Sequence, residues 1–236
     1  MFGHQLLQNF RQPLARVRPG GEQLATQLRF FGPIHRGNLA IVENFSRLSH
    51  SGTSIRPLRR RDARWLQAAL MKDRSWLSPW EATLPGTVLP VDARGLIGAL
   101  LHQQRKGAGL AFVITYLGKP VGQLNVANIL RGSVSSATIG YWISSEAAGK
   151  SITPTAVALC IDYLFDEEGL HRVEIDIRPE NAASLRVVQK LKIRQEGLKE
   201  RFIHIDGGWR DHLVFAITRE ERKGSMLGRL DNTPNQ

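Results

Sequence analysis

The chain of 236 residues contains a single cysteine, Cys160, and no long apolar run. One cysteine excludes an intramolecular disulfide framework and a zinc site built from several cysteines, which favours a reducing compartment. No stretch approaches the roughly 18 apolar residues that a membrane-spanning helix needs. The start of the chain lacks a secretory signal, because Gln, Arg and Pro interrupt its apolar pieces, although its arginines leave an organelle transit peptide as an alternative. We therefore predict a cytoplasmic protein with no membrane partner.

Acidic residues are scarce in the first quarter of the chain. Residues 1–61 hold ten arginines and two glutamates, which gives +8 of the total net charge of +11, whereas residues 62–218 contribute only +2. Such a charge indicates an anionic partner, for example nucleic acid. Proline and glycine interrupt residues 1–52 too often for a long helix. We interpret residues 1–52 as an irregular, poorly ordered basic arm, and the alternative is an electrostatic tether to RNA or the ribosome.

From residue 53 the hydrophobic pattern becomes regular, and it predicts one mixed α/β domain over residues 53–218 with a polar tail over 219–236. The predicted strands are 53–58, 110–117, 120–130, 134–144, 171–178, 198–205 and 209–218. The predicted helices are 62–72, 92–106, 149–168 and 181–190. The segment 75–80, which carries two tryptophans, is predicted as a loop. Cys160 lies on the apolar side of its helix, where core packing explains it.

The junction between the strand 134–144 and the following helix predicts an anion site. Small residues around Gly149 open this helix, and the unpaired amide groups of a helix start, together with its dipole, suit a phosphate or pyrophosphate. The run Gly149-Lys150-Ser151 resembles part of a P-loop. That motif requires a glycine five residues before its second one, and Ser144 stands there, so we reject a P-loop. The alternative is an ordinary helix start.

A second candidate begins at the end of the strand 171–178. In the run Arg178-Pro179-Glu180-Asn181-Ala182-Ala183-Ser184, the proline stiffens the turn and Asn181 can cap the next helix. Ser184 lies about one turn into that helix and shares a face with Asn181. Simple capping explains these residues equally well. The histidines His171, His204 and His212 have no metal-ligand spacing, so we predict no metal site.

These motifs resemble those of the GNAT acetyltransferases. The resemblance is carried by Ile139–Ser144, the turn at Gly149, the runs 171–174 and 178–184, and the late segment Trp209-Arg210-Asp211-His212. The nearest likeness is to the ribosomal-protein-alanine N-acetyltransferases. The resemblance implies a mostly antiparallel central sheet, splayed into a V, with helices on both faces. It also implies acetyl-CoA as the acetyl donor.

The same resemblance implies a set of residues for the acetyl donor. Main-chain groups of the helix-opening turn would hold the pyrophosphate, and these positions are Gly149, Lys150, Ser151, Ile152 and Thr153. Main-chain groups near Ile143 would hold the thioester carbonyl and the pantetheine, and Asn181 would hydrogen-bond the pantetheine. The sequence departs from the family at Ala148 and Ser151, where glutamine or arginine and glycine are usual. A missing glycine costs affinity if its position needs a positive φ.

For the chemistry, the resemblance implies direct attack by a neutral amine on the thioester, with a base for its proton. Glu174 matches a carboxylate of the family, and Asp176 points to the same side of the strand. We expect Glu174 to be the base, directly or through water, and the alternative is a structural or substrate-orienting role for it. Asp176 is the other candidate base and is otherwise expected to bind the substrate. The tyrosine that is the usual general acid is replaced by Val188, and Ser184 would serve the leaving thiolate. Trp76, Trp80 and Glu81 would border the acceptor pocket, although core packing also explains the tryptophans.

The sequence therefore predicts acetyl transfer to the α-amino group of a protein N-terminus, an alanine or serine of a ribosomal protein. Two alternatives stay open at this point. In the first alternative, the enzyme acetylates a small amine, such as an aminoglycoside, a polyamine or an amino acid. Alternatively, the fold is a degenerate, non-catalytic one that binds RNA or the ribosome through the basic arm.

Overall fold

The computed structural model describes residues 48–87 and 90–231, so nearly all of the predicted basic arm lies outside the described residues. The strands are β1 Ser49–His50, β2 Thr53–Pro57, β3 Leu110–Tyr116, β4 Lys119–Leu130, β5 Ser136–Ile143, β6 Arg172–Ile177, β7 Arg194–Ile205 and β8 Gly208–Thr218. The helices are α1 Ala63–Lys72, α2 Arg74–Leu77, α3 Ala93–Arg105, α4 Ile152–Asp166, α5 Ala182–Lys190, α6 Arg219–Arg222 and α7 Leu227–Asp231.

The strands form one sheet in the order β1-β2-β3-β4-β5-β6-β8-β7. Every neighbouring pair is antiparallel except β5 and β6, which run parallel. These two strands pair at only three positions, from Ser136 with Arg172 to Thr138 with Glu174. Beyond that point they separate, and β6 continues its pairing with β8 alone, up to Ile177 with Leu213. The sheet is therefore splayed into the predicted V between β5 and β6.

Helices cover both faces of the sheet. On one face α4 is buried on almost every side over residues 152–161, because these residues are small or apolar, and Cys160 lies fully buried there as predicted. On the other face α1 and α3 turn one apolar side each toward the sheet, including Leu66 and Ile97. Two separate apolar cores result, and they hold the two arms of the V in place. The prediction of a mixed α/β fold, with helices on both faces of a mostly antiparallel, splayed sheet, is confirmed.

The structure differs from the sequence-based prediction in several elements. It adds β1 within the predicted arm and α6 and α7 within the predicted tail, and β5 begins at residue 136 and not at 134. Three further differences concern α2, β7 and α4. Residues 74–80, predicted mainly as a loop, form α2 and a 3-10 turn, because Pro79 stands in the first turn of that 3-10 helix, where no amide hydrogen is needed. Strand β7 begins at Arg194, not at residue 198; its first residues are polar, and pairing with β8 holds them extended. Helix α4 begins at Ile152, three residues after the predicted start.

The segment after β8 packs against the domain as far as the structure describes it. Met226 is fully buried, and its backbone amide donates to the Asp162 carboxylate of α4 at 2.9 Å. Arg222 pairs with Asp162 and Asp166 on the same helix. In the described part of the chain, no helix is long and apolar enough to cross a membrane.

Candidate functional site

The turn before α4 presents free backbone donors. Gly149 has a φ of +79° and Ser151 a φ of +55°, so two of three consecutive residues adopt the left-handed conformation. Among the described residues, no acceptor is found for the amides of Gly149, Lys150 and Ser151. Ser151 precedes α4 without a side-chain cap, and the first amides of a helix have no partner inside it. The turn therefore offers the anion site that the sequence predicts.

Lysine side chains surround this turn. Lys150 is exposed on the turn itself, and Lys190, at the end of α5, reaches back to place its Nζ 3.1 Å from Oγ of Ser151. An anion on the turn would meet both ammonium groups as well as the backbone donors. The sequence did not predict the positive charge that Lys190 adds beside the turn, because its position depends on how α5 packs beside α4.

A cleft lies where β5 and β6 separate. The polar and aromatic part of its lining consists of Tyr141, Asp176, Asn181, Ser184, Trp80, Arg178 and His212. Gly140 and six apolar residues, five of them isoleucines, form the rest. The enclosed space is small, about 60 Å³. Residues from both faces of the sheet meet here, because successive side chains of a strand point to opposite sides.

The two candidate carboxylates differ in their contacts. Glu174 lies at the last pair before the strands part, and its carboxylate binds Lys199 and Arg172, with the Arg172 NH2 at 3.0 Å. Burial alone would raise the pKa of Glu174, but hydrogen bonds from Lys199 and Arg172 outweigh it and lower the pKa.

Asp176 lies one step further along the same face, inside the cleft. Its side chain is 2% exposed, and one carboxylate oxygen accepts a hydrogen bond from Lys199 Nζ at 2.9 Å. Burial raises the pKa of Asp176, and Lys199 offsets only part of this effect. Asp176 therefore combines access to the cleft with a carboxylate of increased basicity, whereas Glu174 is outside the cleft lining.

The start of α5 is fixed by its cap and by a neighbouring arginine. The Oδ1 atom of Asn181 accepts a hydrogen bond from the Ser184 amide at 3.0 Å, so the predicted capping role is present. Arg178 donates to the carbonyl of Pro79 at 2.7 Å and lies over the ring of Trp80, 5.5 Å from its centre. This contact joins the segment before α5 to the tryptophan segment across the cleft.

Two cleft residues had no predicted role. The buried ring of His212 binds the Arg210 carbonyl through Nδ1 at 3.0 Å; a carbonyl only accepts, so Nδ1 carries the proton and Nε2 is free in the neutral ring. Burial lowers the pKa of His212, which favours that neutral form. The hydroxyl of Tyr141 is buried without any hydrogen-bond partner among the described residues. Both residues lie within the motifs that carried the family resemblance, yet their placement depends on distant packing.

A larger pocket, of about 570 Å³, adjoins the cleft on the face of α1 and α3. Its lining includes Gln123 and Asn125, whose side chains are linked at 3.0 Å, and Glu81, which pairs with Arg74. Trp76 does not line this pocket, and its indole Nε1 donates to the carbonyl of Ile143 at 3.1 Å. The structure thus places Glu81 in the pocket, Trp80 in the cleft and Trp76 against the end of β5.

The predicted donor-site residues belong to the segment between β5 and α4 and to the start of α5. Ile143 ends β5, a 3-10 turn covers Ser145–Ala147, and the turn 149–153 opens α4, whereas Asn181 and Ser184 line the cleft. Among the residues that the structure describes, no three His, Cys, Asp or Glu side chains form a metal-binding group. The arrangement can hold a phosphorylated, elongated ligand along the edge of β5 and bring a carboxylate to its far end.

Comparison with known proteins gives consistent matches. Residues 53–194 match the acetyltransferase (GNAT) domain family. The probable N-acetyltransferase YjcK of Bacillus subtilis is 39% identical over 97 residues, which span 41% of this chain and 54% of that protein, so the chain matches about half the length of this relative. The ribosomal protein uS5-alanine N-acetyltransferase of Escherichia coli is 27% identical over 175 residues, or 73% of this chain and 90% of that enzyme.

Among solved structures, Mycobacterium smegmatis RimJ in complex with CoA-disulfide is similar to this chain. Its sequence is 37% identical and its TM-score is 0.70, with 76% of this chain and 88% of that chain covered. The splayed sheet is therefore shared with a protein that has been crystallised with a coenzyme A derivative.

Proposed function

Because the chain belongs to the acetyltransferase (GNAT) family, we propose that it transfers an acetyl group from acetyl-CoA to the α-amino group of a protein N-terminus. The acceptor that we propose is a ribosomal protein that begins with alanine or serine, as the names of the similar enzymes suggest. The observation that carries the proposal is the cleft between β5 and β6. The segment that follows β5 presents free backbone amides, and the cleft shares Ala82 with a larger pocket that contains amide side chains.

The residues fit acetyl-CoA on two independent observations. The left-handed φ angles at Gly149 and Ser151 leave amides free for a pyrophosphate, and Lys150 and Lys190 add positive charge. The buried hydroxyl of Tyr141 has no partner among the described residues, as expected for a group that awaits a ligand. Acetyl-CoA supplies an activated acetyl group as its thioester. Gly149, Lys150, Ser151, Ile152 and Thr153 would hold the pyrophosphate, and Ile143 and Asn181 would hold the pantetheine.

For the base we favour Asp176 over Glu174. Sequence reasoning preferred Glu174, but its two cations hold the carboxylate outside the cleft and lower its pKa. Asp176 lies in the cleft, where burial raises the pKa, so it is better suited to accept a proton from an ammonium group. Because an N-terminal amine has a pKa near 8, a weak base is sufficient. Ser184 faces the same cleft and stays the predicted partner of the departing thiolate.

The pocket chemistry favours a peptide over a polyamine. A polyamine needs several unpaired carboxylates, and three carboxylates line the pocket. Glu81 is paired with Arg74, Asp92 caps α3 through the Gly95 amide, and only Asp206 has no side-chain partner among the described residues. The Gln123 oxygen accepts from Trp142 and its nitrogen donates to Asn125, which leaves the amide nitrogen of Asn125 to donate to a peptide carbonyl. We therefore rank a protein N-terminus above a small amine.

The proposal is tested by titrating the purified full chain with acetyl-CoA and by assaying acetyl transfer to short peptides that begin with Ala or Ser. The matched control is the same peptide with a blocked N-terminus, and spermidine represents the small amines. We expect acetyl-CoA binding and transfer to the free peptides alone. Absence of acetyl-CoA binding would overturn the proposed activity, and transfer to spermidine but not to peptides would overturn the proposed acceptor.

A further inference from the structure

Tyr141 carries a buried hydroxyl group that forms no hydrogen bond with any described residue. Leaving a polar group buried and unpaired costs roughly 1–3 kcal/mol, so native proteins rarely keep one without a reason. Phenylalanine would fill the same space without this cost. The hydroxyl of Tyr141 therefore needs an explanation outside the packing of the fold.

The position of Tyr141 suggests what that explanation is. Tyr141 is part of β5 where β5 has already separated from β6, and it lines the cleft together with Ser184 of α5. Its side chain points to the face opposite that of Gly140 and Trp142, because neighbours on a strand alternate. Asp176 lies in the register of Gly140, since Thr138 pairs with Glu174 and both strands run in the same direction. The phenol and the proposed base thus approach the cleft from opposite faces of the sheet.

We propose that the Tyr141 hydroxyl donates a hydrogen bond to the sulfur of coenzyme A as negative charge collects there during acetyl transfer. This inference rests on the proposed function. In the reaction, the amine nitrogen forms a bond to the acetyl carbon, the C–S bond breaks, and its electron pair goes to sulfur. The amine proton goes to the base on the opposite face. Tyr141 stabilises the charge on the leaving sulfur.

Tyr141 acts as a hydrogen-bond donor and keeps its proton. Burial raises the pKa of Tyr141, and the Ser184 side chain beside it lowers this pKa only in part. The two hydroxyl groups do not meet the geometry of a hydrogen bond, so the phenol has a polar neighbour but no partner among the described residues. The pKa of a thiol is near 8.5, so a thiolate cannot remove the proton of such a phenol. The released sulfur instead takes a proton that comes from solvent, and Ser184 stays its predicted partner in the cleft. A hydrogen-bond donor that is already held in place stabilises the negative charge that develops next to it.

This role also accounts for the replacement of the usual tyrosine. The position where the family places its general acid is Val188, which is fully buried in the apolar core. A phenol is still present in the cleft, but it comes from β5 and not from α5. Sequence comparison by position cannot detect this exchange, because the two residues belong to different elements.

The test compares the binding of coenzyme A with that of desulfo-coenzyme A, which lacks the sulfur, by calorimetry as a function of pH. In the wild-type chain we expect a preference for coenzyme A that grows with pH as the thiol ionises, and a pKa of the bound thiol lowered by roughly one unit, a tenfold effect typical of a hydrogen bond to a charged group. Tyr141→Phe should remove this preference, leave desulfo-coenzyme A binding unchanged, and lower kcat about tenfold to a hundredfold with little change in KM.

The matched control is Tyr163→Phe, the same chemical change on α4. The Tyr163 hydroxyl already has a partner, Glu168, at 3.1 Å. Tyr163→Phe should lower the melting temperature and leave both ligands unaffected, whereas Tyr141→Phe should keep or raise the melting temperature. A fall in the melting temperature of Tyr141→Phe would assign its hydroxyl a partner within the protein and overturn the inference.

The binding measurements distinguish a failure of the proposed function from a failure of the role proposed for Tyr141. If the wild-type chain binds neither ligand, the proposed function is wrong and the inference falls with it. If it binds both ligands without a preference that depends on pH, or if Tyr141→Phe keeps that preference, the inference alone is wrong. Even if Tyr141→Phe is poorly folded, the wild-type chain alone tests the inference, because binding of both ligands without a pH-dependent preference would overturn it.

Discussion

The two halves of the proposed site differ in the groups that they offer to a ligand. The donor half consists of the turn 149–153, which includes the start of α4, with the first turn of α5, and the groups that it offers are mostly backbone amides. The acceptor half consists of Trp80, Glu81, Asp176 and His212, and it relies on side chains with charges and rings. Ligand binding in the donor half would therefore depend on the backbone φ angles, whereas binding in the acceptor half would depend on which side chains are present.

This difference explains where the sequence can depart from its family without losing the activity. A substitution in the donor half matters mainly when it changes which backbone angles are accessible, since backbone donors remain when a side chain is exchanged. A substitution in the acceptor half removes a functional group outright. We therefore expect the largest loss of activity in the acceptor half and smaller changes in the donor half.

Replacing the carboxylate of Asp176 should have the largest effect on turnover. Asp176→Asn keeps the shape of the side chain and removes the proposed base, so kcat should fall on the order of 10²- to 10⁴-fold, as is typical for loss of a general base. Glu174→Gln, the matched change two residues away, should cost less than roughly tenfold.

The pH profile gives a second readout of the same prediction. A base must be deprotonated, and burial raises the pKa of Asp176, so kcat of the wild-type chain should fall as the pH drops through that raised pKa. This limb should be missing in Asp176→Asn and present in Glu174→Gln. The reverse pattern would restore Glu174 as the base.

In the donor half, a change of backbone preference at Gly149 should weaken acetyl-CoA binding. Gly149 has a φ of +79°, and no atom lies within 4 Å of the position that a Cβ would take, so Gly149→Val meets no steric clash with its surroundings. A left-handed valine costs roughly 1–2 kcal/mol, and the exposed turn can escape this cost by relaxing until a ligand forces it back. We expect about 5- to 30-fold weaker acetyl-CoA binding by calorimetry.

The control for this prediction is Gly169→Val. Gly169 also has a positive φ, +69°, and open space around it, but it lies past the end of α4, away from the cleft. That variant should lose thermal stability with unchanged acetyl-CoA affinity. Equal losses of affinity in both variants would mean that the turn has no special part in binding.

The contrast between the two halves also shows how far the sequence can predict this site. The order of strands and helices could be predicted from apolar periodicity, and the free amides of the turn before α4 from a local motif, whereas the V was implied only by the family resemblance. The sequence could not predict whether Glu174 or Asp176 enters the cleft, because both side chains point to the same face of β6. That choice depends on the exact pair at which β5 and β6 separate, and the packing of both cores decides it. The unpaired Tyr141 hydroxyl likewise depends on where α5 packs.

Ser151 provides a smaller test, because here the chain lacks a glycine that the family usually has. Its φ of +55° shows that the position does require the left-handed conformation. Ser151→Gly should relieve up to about 1 kcal/mol of strain, which corresponds to an increase in acetyl-CoA affinity of at most about fivefold. Lys192→Gly, at a φ of +51° beyond α5, is the matched control and should change stability alone. An unchanged affinity in Ser151→Gly would show that the serine is already free of strain.

The smallest effect is expected at Trp76, which joins the two halves. Sequence reasoning assigned Trp76 to the acceptor, but its indole Nε1 donates to the Ile143 carbonyl, a group predicted to bind the acetyl donor. Trp76 is 41% exposed, so this hydrogen bond contributes at the low end of the usual range of about 0.5–1.5 kcal/mol, roughly a factor of two. Trp76→Phe frees the carbonyl and should therefore tighten acetyl-CoA binding about twofold, with an unchanged KM for the peptide. A raised peptide KM with unchanged acetyl-CoA affinity would instead return Trp76 to the acceptor half, because its ring would then act on the peptide and not through Ile143.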